Sequence, residues 1–159
     1  MEIILREGQK SDMADILLLI KELAAFEKES NAVEITEKDL IEDGFGTTPA
    51  FKVIVAEQQE QIIGMALFYE RYSTWKGRSI HLEDLIVKHE HRGKGVGKAL
   101  YSEVLSYAYQ RKMKRVSWEV LDWNKVAIDF YTSTGAKILK DWQVVHMDEK
   151  GLKGFVAKN

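Results

Sequence analysis

The segment Glu90–Leu100, EHRGKGVGKAL, sets glycines at positions 93, 95 and 97 among Arg92, Lys94 and Lys98; just before it runs Ile80–Val87, IHLEDLIV, a strand-like stretch with two adjacent carboxylates. After the turn, Val96, Leu100, Val104, Tyr107 and Ala108 mark one face of a helix running to about Lys112. Two nucleotide motifs fail at this strand–turn–helix unit. A P-loop, G-x-x-x-x-G-K-[ST], needs glycine where Arg92 stands and a hydroxyl where Ala99 stands. A dinucleotide fingerprint, G-x-G-x-x-G, meets Lys98 in the frame starting at Gly93 and Leu100 in the frame starting at Gly95. What remains is a backbone that a ligand can approach closely, followed by the free N–H groups and positive dipole end of a helix. A phosphate or pyrophosphate is the expected guest, with Arg92, Lys94 and Lys98 adding charge. A flexible, solubilising turn accounts for the lysines but not for three alternating glycines behind an arginine.

Around this unit, α and β patterns interleave. Glu2 to Arg6 reads as a short strand, and Ser11 or Asp12 caps a helix with Ile16, Leu19, Ile20, Leu23 and Phe26 at helical spacing. Thr36 and Asp39 resemble a capping box opening a short helix to about Asp43. FKVIVAE and IIGMALFYERY are strands around the turn QQEQ. After the glycine-turn helix, RVSWEVL reads as a strand and Asn124 caps a helix carrying Ala127, Ile128 and Tyr131, which Gly135 stops. WQVVHM and GFVA are expected to finish the chain as a hairpin across DEKG. The pattern predicts an α/β (mixed α+β) fold, a mixed sheet flanked by helices.

The bulk numbers exclude several classes. With 159 residues, one domain (1–159) is expected, burying about two-thirds of the surface that the unfolded chain exposes. No apolar run approaches the roughly 20 residues of a membrane span, and MEIILREGQK lacks the features of a signal peptide, so a cytoplasmic protein with no membrane partner is expected. Zero cysteines exclude disulfides, thiolate metal sites and a cysteine nucleophile. His89-x-His91 has no accompanying third ligand, so no metal is expected. A net charge of −2 argues against a nucleic-acid binder. The distribution says more: between Glu27 and Asp43 seven carboxylates face only Lys28 and Lys38, a region suited to a cation, whereas the glycine turn suits an anion. Taken alone, either run is a solvated face.

Arg92-Gly93-Lys94-Gly95-Val96-Gly97 matches the R/Q-x-x-G-x-G/A pattern of the GCN5-related (GNAT) acetyltransferases, in which this turn follows the central strand and binds the pyrophosphate of acetyl-CoA. LLLIKELAAFE, TEKDLIEDGFG, LEDLIV, Trp123-Asn124 and FYTSTGA extend the likeness over nearly the whole chain and resemble the spermidine/spermine (diamine) acetyltransferase branch. The resemblance implies a twisted, mostly antiparallel mixed sheet, acetyl-CoA as co-substrate, a homodimer, and acetylation of a small cationic amine such as a diamine or polyamine. It leaves open a lysine-like amino acid such as thialysine, a protein amine, or a non-catalytic acetyl-CoA sensor.

Acyl transfer to an amine needs a free lone pair, a held carbonyl and a proton for the leaving thiolate. An aliphatic ammonium has a pKa near ~10.4, so a base must take its proton. Glu83 and Asp84 are the candidates, and strand alternation turns at least one of them into protein, where burial and a like charge raise a carboxylate towards a useful base. By resemblance, Glu83 is the base through a water and also binds the amine, and Asp84 helps to hold the cation. Tyr131 would protonate the CoA sulfur. The same resemblance implies that Leu85, Ile86 and Val87 supply backbone groups to the pantetheine arm and an oxyanion N–H. Gly93 to Lys98 with Arg92 would hold the pyrophosphate, Asn124 would line the CoA arm, and Glu27 and Trp75 would bind the acceptor. Ser73 stands where the polyamine enzymes carry an acidic residue, which leaves room for shorter diamines or lysine analogues.

Overall fold

The structure is a computed structural model and describes residues 2–158. Its contacts divide the chain into a unit of residues 1–119 and a unit of residues 120–159.

The first unit is built on a five-stranded sheet in the order β1-β2-β3-β4-β5, namely Ile4–Glu7, Lys52–Gln58, Gln61–Ser73, Gly77–Val87 and Val116–Ser117. The first four strands pair antiparallel and β5 runs parallel to β4, the mixed sheet expected from the interleaved pattern. Helix α1 (Met13–Phe26) buries Met13, Ile16 and Leu19 against Val53, Val55, Met65, Leu67 and Ile86. Each of these side chains contributes about 1.5–3 kcal/mol by leaving water. Helix α2 (Glu37–Phe45) adds Leu40 to that core and opens with the expected box: Thr36 Oγ1 accepts from Asp39 N–H, and Thr36 N–H donates back to Asp39 Oδ2 at 2.8 Å. Helix α3 (Val96–Gln110) buries Val96, Leu100, Tyr101, Val104 and Ala108.

Asp12, at the head of α1, is spent differently from the expected side-chain cap. Arg6 on β1 grips its two carboxylate oxygens at 2.7 and 3.0 Å and also donates to Glu57 Oε2 on β2 at 2.8 Å. Three elements are thereby tied at one guanidinium.

Two expectations fail towards the C-terminus. The strand read in RVSWEVL is only the two residues of β5, paired with β4 at Ile80 and His81. Leu82 to Val87 thus have a strand on one side only among the described residues. The hairpin expected from WQVVHM and GFVA is absent. Residues 143–147 carry no strand, and Glu149–Val156 form a helix, α5, that follows helix α4 (Lys125–Ser133) in the second unit. Its start explains why. Asp148 is an N-cap whose Oδ1 accepts from Gly151 N–H at 2.7 Å, and Lys153 pairs with Glu149 one turn away. The expected DEKG turn is instead the first turn of a helix.

Candidate active site

Glu83 and Asp84 lie where β4 departs from regular pairing. Leu67 and Phe68 are neighbours on β3, yet they face Asp84 and Leu82, so Glu83 is the extra residue of a β-bulge. The bulge breaks strict alternation and divides the pair by environment. Glu83 is about half-exposed, at 51% of its side chain, whereas Asp84 is half-buried. Burial first, then the charges of Glu83 and Glu27, raise Asp84 from 3.8 to about 6. Glu27, at the C-terminal end of α1, is itself raised by partial desolvation of its carboxyl. The three carboxylates therefore share one field, suited to a cation.

Tyr69 and His81 lie against Glu83, and Arg71 and Ser117 lie against His81. Tyr69 on β3 donates its hydroxyl to Glu83 Oε2 at 3.0 Å; burial, then that hydrogen bond, raises the Tyr69 hydroxyl and keeps it a donor. His81, buried on β4, sets Nε2 at 3.5 Å from the same oxygen. Its Nδ1 lies 3.3 Å from Arg71 Nη1 and 3.1 Å from Ser117 Oγ. The i, i+2 spacing of His81 and Glu83 was available in the sequence; the partners on β3 and β5 required the register.

The glycine turn is formed as expected. Gly93 and Gly95 take left-handed φ values of +73° and +83°, which an L side chain adopts only with strain. Gly95 is the N-cap of α3, and the first helical bond runs from Ala99 N–H to Gly95 C=O at 3.0 Å. The N–H groups of Val96, Gly97 and Lys98 lie ahead of that bond, at the positive end of the helix dipole. Val96 is buried, so only its backbone can meet a ligand, whereas Lys98 is exposed. Arg92 does more than offer charge: Nε donates to Val87 C=O at 2.8 Å, and the guanidinium lies 3.5 Å from Glu22 and over the Phe26 ring. It fastens the turn to the end of β4 and to α1. Lys94 donates to Glu90 C=O at 3.0 Å. Leu85 and Ile86 pair with Ala66 and Met65, and Val87 with Gly64, on the β3 side only.

Trp75 is not brought to the carboxylates within this chain. It is an exposed residue of the β3–β4 hairpin tip, and Gly77 to Glu83 alone spans about 20 Å of strand. Ser73 accepts there from Trp75 N–H, Lys76 N–H and Arg115 Nη1. In the second unit, Asn124 caps α4 by accepting from Ala127 N–H at 3.3 Å, and Ala127, Ile128 and Tyr131 share its half-buried face. Gly135 ends the helix region at φ +96°. No cluster of three or more histidines or carboxylates able to hold a metal occurs among the described residues, and no described helix is long and apolar enough to cross a membrane.

Among the described residues the site combines a mixed sheet whose β4 is unpaired along part of one edge, a carboxylate pair on a bulge, and a glycine turn that opens a helix. Comparison with known proteins identifies the class: residues 17–136 match the Acetyltransferase (GNAT) family, and the chain belongs to it. It is 38% identical to the thialysine N-epsilon-acetyltransferase of Bos taurus, the match covering 98% of each chain. It is 34% identical to the spermidine/spermine N(1)-acetyltransferase-like protein 1 of Homo sapiens, over 90% of this chain and 22% of that protein. An integron cassette protein from the mobile metagenome of V. cholerae shares the fold, with a TM-score of 0.80 at 24% identity over 98% of both chains. The chain is thus a GNAT enzyme that transfers an acetyl group to an amine, in a family that uses acetyl-CoA as co-substrate.

Proposed function

We propose that this enzyme acetylates the primary amine of a small cationic acceptor, with a lysine-like side-chain amine favoured over a long polyamine. The observation that carries the cationic acceptor is the carboxylate trio Glu27, Glu83 and Asp84, which shares one field beside the glycine turn's strand. The preference for a lysine analogue is supported by the relatives named thialysine N-epsilon-acetyltransferases. It is supported too by Ser73, which is neutral and contacts the Arg115 cation where a polyamine enzyme carries an acid. Diamines and polyamines remain the second reading, favoured by the acidic stretch from Glu27 to Asp43.

In the proposed reaction, the turn of Arg92 and Gly93 to Lys98 holds the pyrophosphate, and the open edge at Leu85–Val87 receives the pantetheine arm and polarises the thioester carbonyl. The ammonium settles against Glu83 and Asp84 and yields its proton to Glu83 through a water. The freed nitrogen lone pair then forms the N–C bond, and the C–S bond breaks with its electron pair on sulfur. Tyr131 gives the thiolate its proton, the nitrogen sheds its second proton as the amide forms and so restores the phenol, and Asn124 lines the CoA arm, both residue roles resting on the family resemblance. The same resemblance supports a homodimer in the cytoplasm, with Trp75 serving the acceptor. A single catalytic domain over 1–159 is supported by the family match, which runs across the boundary between the two units.

The test is CoA thiol release from acetyl-CoA with thialysine, lysine, ornithine, putrescine, spermidine, spermine and a lysine peptide. Turnover greatest with thialysine or lysine supports the preference. Spermidine turned over best would replace it with the polyamine reading, and turnover with the peptide alone would defeat both.

A further inference from the structure

Glu83 poses a physical problem. It is a half-exposed, flexible side chain on a bulge, and a base or an ammonium anchor must stand still. The groups that hold it come from three strands. Tyr69 and Arg71 stand on β3, His81 precedes Glu83 by two residues on β4, and Ser117 lies on β5, opposite His81 in the register. The Tyr69 and His81 rings pack at 5.4 Å between centroids, so the two donors stand side by side.

The protonation pattern of the imidazole follows from its neighbours. A guanidinium only donates. Arg71 Nη1 at 3.3 Å therefore calls for the lone pair of Nδ1, and the Ser117 hydroxyl at 3.1 Å, which can donate or accept, is compatible with it. The ring proton then sits on Nε2, the nitrogen 3.5 Å from Glu83 Oε2. That separation is long for a hydrogen bond, as catalytic contacts often are before substrate binds. The Tyr69 hydroxyl already donates to the same oxygen.

We propose that His81 is a positioning residue for acetyl transfer: pinned by Arg71 and Ser117 in its Nε2–H tautomer, it aims that proton at Glu83 Oε2 and, with Tyr69, fixes the carboxylate that meets the acceptor. This deepens the role given to Glu83 above and rests on that reading. A buried histidine kept only to fill space between β3 and β5 would need neither a fixed tautomer nor a donor directed at Glu83.

The experiment uses the full chain, 15N-labelled at histidine, together with His81→Gln and His81→Leu. Nitrogen NMR of the wild type reports the tautomer, and steady-state kinetics with the best amine report kcat and both KM values. The amide nitrogen of glutamine reaches the place of Nε2, whereas leucine offers no donor. The expected result is a bare Nδ1 and a protonated Nε2. His81→Leu should lose about tenfold or more in kcat/KM for the amine with the acetyl-CoA KM unchanged, and His81→Gln should regain most of that loss. An Nδ1–H tautomer overturns the proposal, as does equal activity of the Gln and Leu variants. If His81→Leu does not fold, the tautomer and the comparison of His81→Gln with wild type decide: a glutamine variant impaired as much in acetyl-CoA KM as in amine KM refutes positioning. Wild-type enzyme inactive with every cationic amine would defeat the functional reading itself, while the tautomer measurement would separately judge the geometry.

Discussion

Asp84→Asn should make the protein more stable above neutral pH and leave its stability unchanged in acid. The carboxyl of Asp84 is raised from 3.8 to about 6, chiefly by burial and then by Glu83 and Glu27. Below pH 4 the group is protonated in both folded and unfolded chains and contributes nothing to the pH dependence. Between about 4 and 6 the folded chain holds the proton that the unfolded chain releases, so folding stability falls as pH rises through this window. Above about 7 the ionised form carries the whole cost, roughly 3 kcal/mol at 1.36 kcal/mol per pH unit. The asparagine amide stands in for the protonated carboxyl, which also leaves water, so its desolvation does not disturb the acid limit. The expected gain at pH 8 is therefore about 1–3 kcal/mol, at about 2–4 °C in Tm for each kcal/mol in a chain of this size. Thermal melts of wild type and variant from pH 3 to 8 should show a Tm gap that opens between pH 4 and 6 and stays level beyond it. A gap that is absent, or equally large at pH 3.5, would refute the burial argument. The same variant should acetylate amines more slowly, because charge near the acceptor is removed, so the residue trades stability for function.

Three further outcomes are expected. Tyr131→Phe should lower kcat about a hundredfold with acetyl-CoA affinity within twofold, as single-turnover rates and calorimetry would report; equal loss of both would make the tyrosine structural. Gly97→Ala should separate stability from binding. Its added Cβ meets only Val87 Cγ2 at 3.6 Å and its φ is not left-handed, so stability should hold or rise by up to the helix propensity of alanine, about 1 kcal/mol, read as an unchanged or higher Tm. Acetyl-CoA affinity should fall about tenfold if the backbone here meets the pyrophosphate, and undiminished binding would remove Gly97 from the contact surface. Asp12→Ala leaves Arg6 half-buried with Glu57 as its remaining ion-pair partner and should cost about 2–3 kcal/mol near neutrality. Hydrogen bonding to Arg6 lowers the Asp12 carboxyl, so the stability it provides is present above the ordinary carboxylate range and lost as pH falls through that lowered value; denaturant melts should show wild type and variant converging in strong acid.

Local chemistry accounts for what could be read without coordinates. The capping box at Thr36, the glycine turn before α3, the Asn124 cap and the Gly135 stop each depend on a few neighbouring residues, and each is present. The glycine turn was legible for the same reason, since a helix N-terminus behind alternating glycines is defined within a dozen residues. At the C-terminus local reading failed. The apolar run from Trp142 to Met147 has the composition of a strand but joins no sheet among the described residues, and Asp148 with Glu149 and Lys153 starts a helix. Composition proposes a strand; only a neighbouring strand makes one.

The acceptor site divides along the same line. The carboxylates Glu83 and Asp84, the basic glycine turn and the acidic stretch after α1 are properties of the sequence, and they carry the proposal of an anion at one end and an ammonium at the other. Which carboxylate is buried was decided by a bulge, because one extra residue opposite Leu67 and Phe68 breaks the alternation that would otherwise assign faces. Which donors hold Glu83 was decided by the register of β3, β4 and β5, which joins Tyr69, Arg71, His81 and Ser117 across up to 48 positions of chain. Long-range pairing has no local signature, since its energy comes from surfaces that meet only after the chain has folded.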